Sequence, residues 1–286
     1  MYKHKAYIIK NRTNLHAGSG DTNYGIVDKE VQRDTISTAP VIHASSLKGA
    51  LRYHFESLQA SSNASAQDGE AKPFTVEAVF GSEEKQQQGM VRFSDARLLF
   101  LPLRSDKKPF YHVTSLACLE QFVAFLQTMN IAVDLPLPDS HPESYVVGAE
   151  GPVVVENVVC AGRDVPVDAI KKLFGIEHLA IFNDEDFNEA LTSLPVIARN
   201  SLEDGKSVNL WYEEVVPRES LFYTVLSYYD NFNEQGADRR GKVDKTYYTK
   251  AFRRFEEQLL TDLVQIGANE SIGYGVCTFS SLGGEA

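Results

Sequence analysis

The sequence predicts an α+β fold, a sheet with helices packed on it, on three observations. A strand-like segment, an amphipathic helix and a second strand follow one another twice, once at each end of the chain. Apolar residues alternate in the first kind of segment and recur at helical spacing in the second. At 43% hydrophobic, the 286 residues can bury a core, which sets aside wholesale disorder.

The elements follow in order. Ala6 to Lys10 reads as a short strand, and the polar, Gly-rich HAGSGDTNYG after it reads as irregular. Ser45 and Ser46 suit a helix N-cap, and Leu47, Ala50, Leu51 and Phe55 then mark a helix running to about Leu58, with Lys48 and Arg52 on another face. Residues 57–73, SLQASSNASAQDGEAKP, offer little to bury and read as a flexible insertion. GMVRFSDARLLFLPL (89–103) predicts a strand or hairpin, Leu116 to Met129 a second helix, and VVVENVV (153–159) a buried strand. Two short helices are expected between 166 and 192, within an acidic inserted region, 134–214, that is partly helical. NLWYEEVV and SLFYTVLSYY predict two strands joined at ProArgGluSer, Tyr247 to Ile266 the longest helix, and Gly273 to Ser280 the last strand. This order is that of a ferredoxin-like sheet with helices on one side, in a single domain spanning 1–286. Such sheets are a common platform for RNA, although fold alone does not establish function.

Cys118, Cys160 and Cys277 are odd in number and far apart, which excludes a legible disulfide framework or CxxC zinc site. MYKHKAYIIK lacks the long apolar stretch of a signal peptide, and no window nears the roughly 18 consecutive apolar residues of a membrane helix. The expectation is a soluble, cytoplasmic protein with no membrane partner.

The net charge of −11, from 28 basic and 39 acidic residues, argues against nucleic acid if read as an average. By region it separates. Residues 1–52 carry eight basic and four acidic residues, net +4, and residues 229–254 carry seven and four, net +3. Residues 134–214 hold sixteen acidic and five basic residues, net −11, and are expected to lie away from any RNA channel.

At SSLKGALR (45–52), two hydroxyls, Lys48, a side-chain-free Gly49 and Arg52 gather where a helix N-terminus favours an anion, a phosphodiester for example. A capped, solvated surface helix shows the same pattern. In GANESIGYG, Gly267, Gly273 and Gly275 would expose backbone amides to phosphates or serve only a tight helix-to-strand connection. Tyr228, Tyr229, Phe232, Tyr247 and Tyr248 interleave with Arg239, Arg240, Lys242 and Lys245, a mixture that suits single-stranded RNA and equally an ordinary sheet edge with a polar loop. His16 is an acid–base candidate or a packing residue of its loop.

Taken together, LHAGSGDTNYGIVDKEVQRD, PVIHASSLKGALR, FGS, GMVRFSDARLL, LPVIARN, LWYEEVVPRES and IGANESIGYGVC resemble the RAMP superfamily of CRISPR proteins, and within it the repeated backbone subunit of the type III-B (Cmr) effector. The resemblance spans about residues 5–280. It implies a modified ferredoxin-like or RRM-like palm and a β-hairpin thumb. It implies, as partners, a guide CRISPR RNA, a single-stranded target RNA, further copies of the chain in a helical filament and other effector subunits. It also implies cutting of target RNA at regular intervals, with Asp28 of the GIVDK loop as the acid. Ser45, Ser46, Lys48 and Arg52 match positions that hold the guide backbone, and Arg33, in the matching loop, is expected to bind RNA with them.

One carboxylate can serve as general base or hold a divalent cation, Mg²⁺ or Mn²⁺, but not easily both. Glu213, Glu214 and Arg218 would orient the active loop or stabilise a hairpin. Two alternatives stand beside this reading: a purely structural guide-binding subunit, and a RAMP nuclease that processes guide precursors with His16.

Overall fold

The structure, a computed structural model, describes residues 2–21, 25–65, 76–84, 86–229 and 245–282. From the N-terminus come β1 (Tyr2–Asn11), β2 (Gly18–Asp21), β3 (Lys29–Val31), β4 (Val41–Ile42) and α1 (Ala44–Ser65). Next are α2 (Val76–Phe80), β5 (Gly81–Ser82), β6 (Gln87–Gln88), β7 (Val91–Phe93), β8 (Ala96–Leu103), β9 (Tyr111–Ser115) and α3 (Leu116–Thr128). The acidic region supplies β10 (Tyr145–Val147), β11 (Val153–Val155), β12 (Val158–Arg163), α4 (Asp168–Phe174), β13 (Leu179–Phe182), α5 (Asp184–Thr192), β14 (Val196–Glu203) and β15 (Lys206–Glu214). The chain closes with β16 (Leu221–Tyr229), α6 (Lys245–Thr261), β17 (Val264–Gln265) and β18 (Val276–Leu282).

The centre is the expected ferredoxin-like motif. Its strands run β18-β1-β16-β8, all neighbours antiparallel, with α1 connecting towards β8 and α6 lying between β16 and β18. Because β1 is central, its side chains are buried on both sides. Tyr7 and Ile9 pack with Leu51 and Phe55 of α1 and Phe252, Phe255 and Leu259 of α6. Ala6 and Ile8 point the other way.

That second face departs from the one-sided expectation. Leu119 and Phe122 of α3 and Ile170 and Phe174 of α4 cover it, meeting Phe100 and Tyr223 from the sheet. The inserted region therefore buries a face that the core motif leaves bare. It also widens the sheet: beyond β8 come β9, β13, β10, β12 and β11, in a mixed sheet of 12 strands.

Several local expectations change. The 153–159 segment is not one buried strand but a hairpin, broken at Glu156 with φ 49° and leaving Val159 69% exposed. Residues 57–65 continue α1 rather than loosening, and 66–73 lie outside the described residues. The Gly-rich stretch after β1 is partly regular, because β2 pairs with β3. NLWYEEVV and SLFYTVLSYY do not pair: β15 joins a separate four-stranded sheet, β14-β15-β3-β2, whereas β16 lies beside β1. The last helix ends at Thr261, and α1, at 22 residues, is longer than its 17.

Register brings the connections to one end of the sheet. Lys10 pairs with Leu221 and Asn11 with Cys277, so the loops after β1, before β16 and before β18 meet there. The four-stranded sheet stands at that end.

Candidate functional site

Asp28 is exposed, immediately before β3, and is tied to the hairpin strand β15 twice: its N–H donates to the Tyr212 carbonyl (3.0 Å) and its Oδ2 accepts the Tyr212 N–H (2.7 Å). Lys29 continues the contact, facing Glu213 in register and carrying its ammonium over the Trp211 ring at 5.5 Å. One carboxylate oxygen of Asp28 is thus oriented by a main-chain amide, and among the described residues Oδ1 accepts no hydrogen bond.

Beneath this lies a buried polar cluster. Glu213, 2% exposed, accepts Arg199 Nε (3.0 Å) and Asn269 Nδ2 (2.7 Å), with His16 Nε2 at 3.5 Å. Glu214 accepts the Val31 N–H (3.0 Å) and pairs with Arg33. Buried carboxylates need such partners, so Glu213 and Glu214 lock β15 to the loop after β1 and to the Gly-rich loop. Two donors in this region, Arg199 Nη2 and the Trp211 indole N–H, are buried with no acceptor among the described residues.

His16 is 3% exposed; its Nδ1 meets the Glu214 carbonyl at 2.7 Å, which makes Nδ1 the donor and turns Nε2 towards Glu213. The Arg33 guanidinium is bonded inside the protein, to the carbonyls of Thr38 (2.9 Å) and Leu191 (2.8 Å) and to Glu214.

A family model for the RAMP superfamily matches residues 8–278. The chain belongs to the RAMP superfamily. It is 28% identical to the CRISPR system Cmr endoribonuclease Cmr4 of Pyrococcus furiosus, over 95% of this chain and 94% of that protein. Oligomeric Cmr4 of the same organism has the same fold, with a TM-score of 0.67, 20% identity and 99% of each chain covered. So does a chain of the type III-B Cmr-beta complex bound to cognate target RNA, with a TM-score of 0.70, 20% identity and 98% and 97% covered.

In this RAMP protein α1 begins two residues earlier than a Ser45 cap would have it. Leu47 N–H bonds the His43 carbonyl (2.9 Å), and the Ala44 N–H is taken by Asp95 Oδ1 (2.7 Å), so a protein carboxylate already answers part of the helix's positive end. Ser45 and Gly49 are exposed, and nothing lies within 4 Å of a Cβ built on Gly49. Lys48 is half-buried on the same turn, and Arg52 is paired with Glu56 at 2.8 Å.

Of the three glycines, two serve close packing. A Cβ on Gly267 would come within 2.4 Å of the His16 carbonyl oxygen, and one on Gly275 within 2.0 Å of that of Ile266; only Gly273 borders open space. Tyr228 is buried, stacked on Phe252 at 3.7 Å. Arg239, Arg240, Lys242 and Phe232 lie outside the described residues, as do the side chains of Lys245, Tyr247 and Tyr248.

Among the described residues no three His, Cys, Asp or Glu side chains are grouped to hold a metal ion, and no helix is long and apolar enough to cross a membrane. At Asp28 the protein offers a divalent cation one carboxylate oxygen. That donor set alone does not fit a protein-held metal, which takes several oxygens.

Sequence reading missed Arg199, Asn269 and the β14–β15 hairpin on which Arg199 and Glu213 are bonded to each other. The signal for the hairpin was present: Asp204-Gly205 separates two alternating segments, and both residues have positive φ, 50° and 77°, as a tight two-residue turn requires.

Proposed function

We propose that this RAMP protein is a repeated backbone subunit of a type III-B RNA-guided effector, which holds guide RNA and cuts paired target RNA beside Asp28. The observation that carries this reading is the placement of an exposed carboxylate, oriented by the Tyr212 N–H, at the foot of a projecting hairpin. Support comes from the likeness to Cmr4, an endoribonuclease by name, over nearly the whole of both chains. Copies would stack as a filament with other effector subunits, as the oligomeric and target-bound relatives suggest.

The β14–β15 hairpin is the thumb in this reading. Leu202, Val208 and Leu210 on it are 61%, 53% and 55% exposed, a surface suited to wedging between nucleotides. With a nucleotide displaced there, its ribose 2′-OH attacks the adjacent phosphorus in line. Asp28 takes the 2′-OH proton, the new O–P bond forms, and the bond to the 5′ oxygen breaks, that oxygen gaining a proton from solvent. Ser45, Ser46 and Lys48 at the start of α1 hold the guide backbone, with Arg52 farther along and Gly273 beside the last strand.

His16 and Arg33 act from inside, as the props of Glu213 and Glu214. The burial of His16 also weighs against the guide-processing alternative, which needs an accessible imidazole. The deciding experiment is an effector assembled around a guide with Asp28→Asn. Target binding and assembly should survive while cutting falls by at least about a hundredfold, the scale of a lost general base. Unchanged cutting refutes the assignment and leaves the purely structural subunit.

A further inference from the structure

We propose that Gln32 is a positioning residue that couples the guide-facing start of α1 to the loop carrying Asp28. This rests on the proposed roles of Asp28 and Ser46 and adds to them the part that connects the two.

Gln32 follows β3 directly and is 9% exposed. Its Oε1 accepts the N–H of His43, the residue that caps α1 (2.8 Å). Its Nε2 donates to the carbonyl of Gly18 in β2 (3.1 Å) and to the Ser46 hydroxyl oxygen (2.8 Å). The main chain is engaged as well: its N–H bonds the Ala17 carbonyl (2.7 Å), and its carbonyl accepts the Val41 N–H (2.9 Å). A backbone N–H can only donate, so the bond to His43 fixes which end of the amide is oxygen, and the bonds from Nε2 follow.

Two consequences arise from that orientation. First, the oxygen of Ser46 receives a hydrogen bond from the protein, so the hydroxyl proton is what Ser46 has left to give, and a donor is what a phosphate oxygen accepts. Second, the β2–β3 ladder, which emerges next to Asp28, is pinned through one side chain to the helix turn that meets the guide. A guide phosphate on Ser46 therefore steadies the amide that steadies the Asp28 loop.

Gln32→Glu tests this, because an ionised Glu still accepts from His43 but cannot donate to Gly18 or Ser46, whereas a protonated one recovers one donor. Gln32→Met keeps the length and removes the amide. Both variants, with Ser46→Ala, are compared with the unmodified chain in the assembled effector, reading guide affinity and the single-turnover rate on bound target from about pH 8 to pH 5.5, a range that brackets a partly buried Glu.

The expected result is a loss of about tenfold in cutting rate for both Gln32 variants at pH 8, as befits a displaced reactive group. The Gln32→Glu rate relative to the unmodified chain should rise towards pH 5.5 while Gln32→Met stays flat. Ser46→Ala should weaken guide binding and, having lost the acceptor of one Nε2 bond, slow loaded complexes by less than the Gln32 variants do. Equal pH profiles for the two Gln32 variants, or loaded complexes that cut at the unmodified rate, would overturn the proposal. Asp28→Asn runs beside them: full cutting by that variant refutes the acid itself, an outcome distinct from failure at Gln32.

Discussion

Glu213→Leu should be the most destabilising single change at the site. Glu213 is 2% exposed and accepts from Arg199 and Asn269, while the Arg199 side chain is 20% exposed. Removing one partner of a buried pair costs about 3–5 kcal/mol, and the partial exposure of Arg199 places this case near 3. The stranded Asn269 amide adds about 1 kcal/mol. The expected total is about 4 kcal/mol, or roughly 10 °C in melting temperature for a chain of this size. Thermal and urea unfolding of Glu213→Leu, Arg199→Met and the double variant form the assay. Since apolar replacement of a whole buried pair is often nearly neutral, the double variant should be more stable than Glu213→Leu, with a coupling of at least about 2 kcal/mol. A loss below about 1 kcal/mol for Glu213→Leu, or strictly additive effects, would refute the view that this carboxylate locks the hairpin to the palm.

Three further outcomes are expected. Gly267→Ala places a Cβ 2.4 Å from the His16 carbonyl at φ +86° and should cost more than about 2 kcal/mol in urea unfolding; Gly273→Ala, at φ +79° with open space around it, should cost only the about 1–2 kcal/mol of a left-handed residue. Burial, helped by nearby Lys10, pushes the His112 imidazole down to about 4, so the unfolded chain binds the extra proton between about pH 6.5 and pH 4. Stability should therefore fall by on the order of 3 kcal/mol as pH drops through that window, and His112→Asn should flatten the profile. Lys48→Ala should reduce guide affinity and the salt slope of binding by about 1, whereas Arg52→Ala should do less, because Glu56 already pairs with Arg52; equal slopes for all three proteins would remove Lys48 from the RNA surface.

The core motif was legible because its signals are local: Leu47, Leu51 and Phe55 fix a helix face, and β1 and β16 announce themselves by apolar density. The second helical layer was not, since nothing near Phe122 or Ile170 in sequence says which face of the sheet each covers. VVVENVV misled because five valines outweigh one turn at Glu156, whose φ of 49° only the structure displays. At the site, Asp28 stood out through resemblance alone; as a residue type it is an ordinary loop acid. The buried cluster was illegible for a simpler reason. His16, Arg199, Glu213 and Asn269 come from three distant segments, and their meeting depends on the register that brings the ends of β1, β16 and β18 together.

The net charge of −11 acquires a spatial meaning in this fold. Strands β10–β13, from the acidic region, lie beyond β8 at the edge of the sheet opposite β17 and β18, while α4 of the same region packs on the sheet's second face. Glu213 and Glu214, from the end of the same region, do the reverse and enter the site, where Arg199, Asn269, Val31 N–H and Arg33 neutralise or bond them. These two acids are therefore no obstacle to RNA. By fixing β15, they hold the Tyr212 N–H against Asp28. In the proposed reading, the strand that wedges nucleotides apart is thus the strand that aims the acid, so a thumb displaced from its seat would carry the acid out of line with the phosphate it is meant to cut.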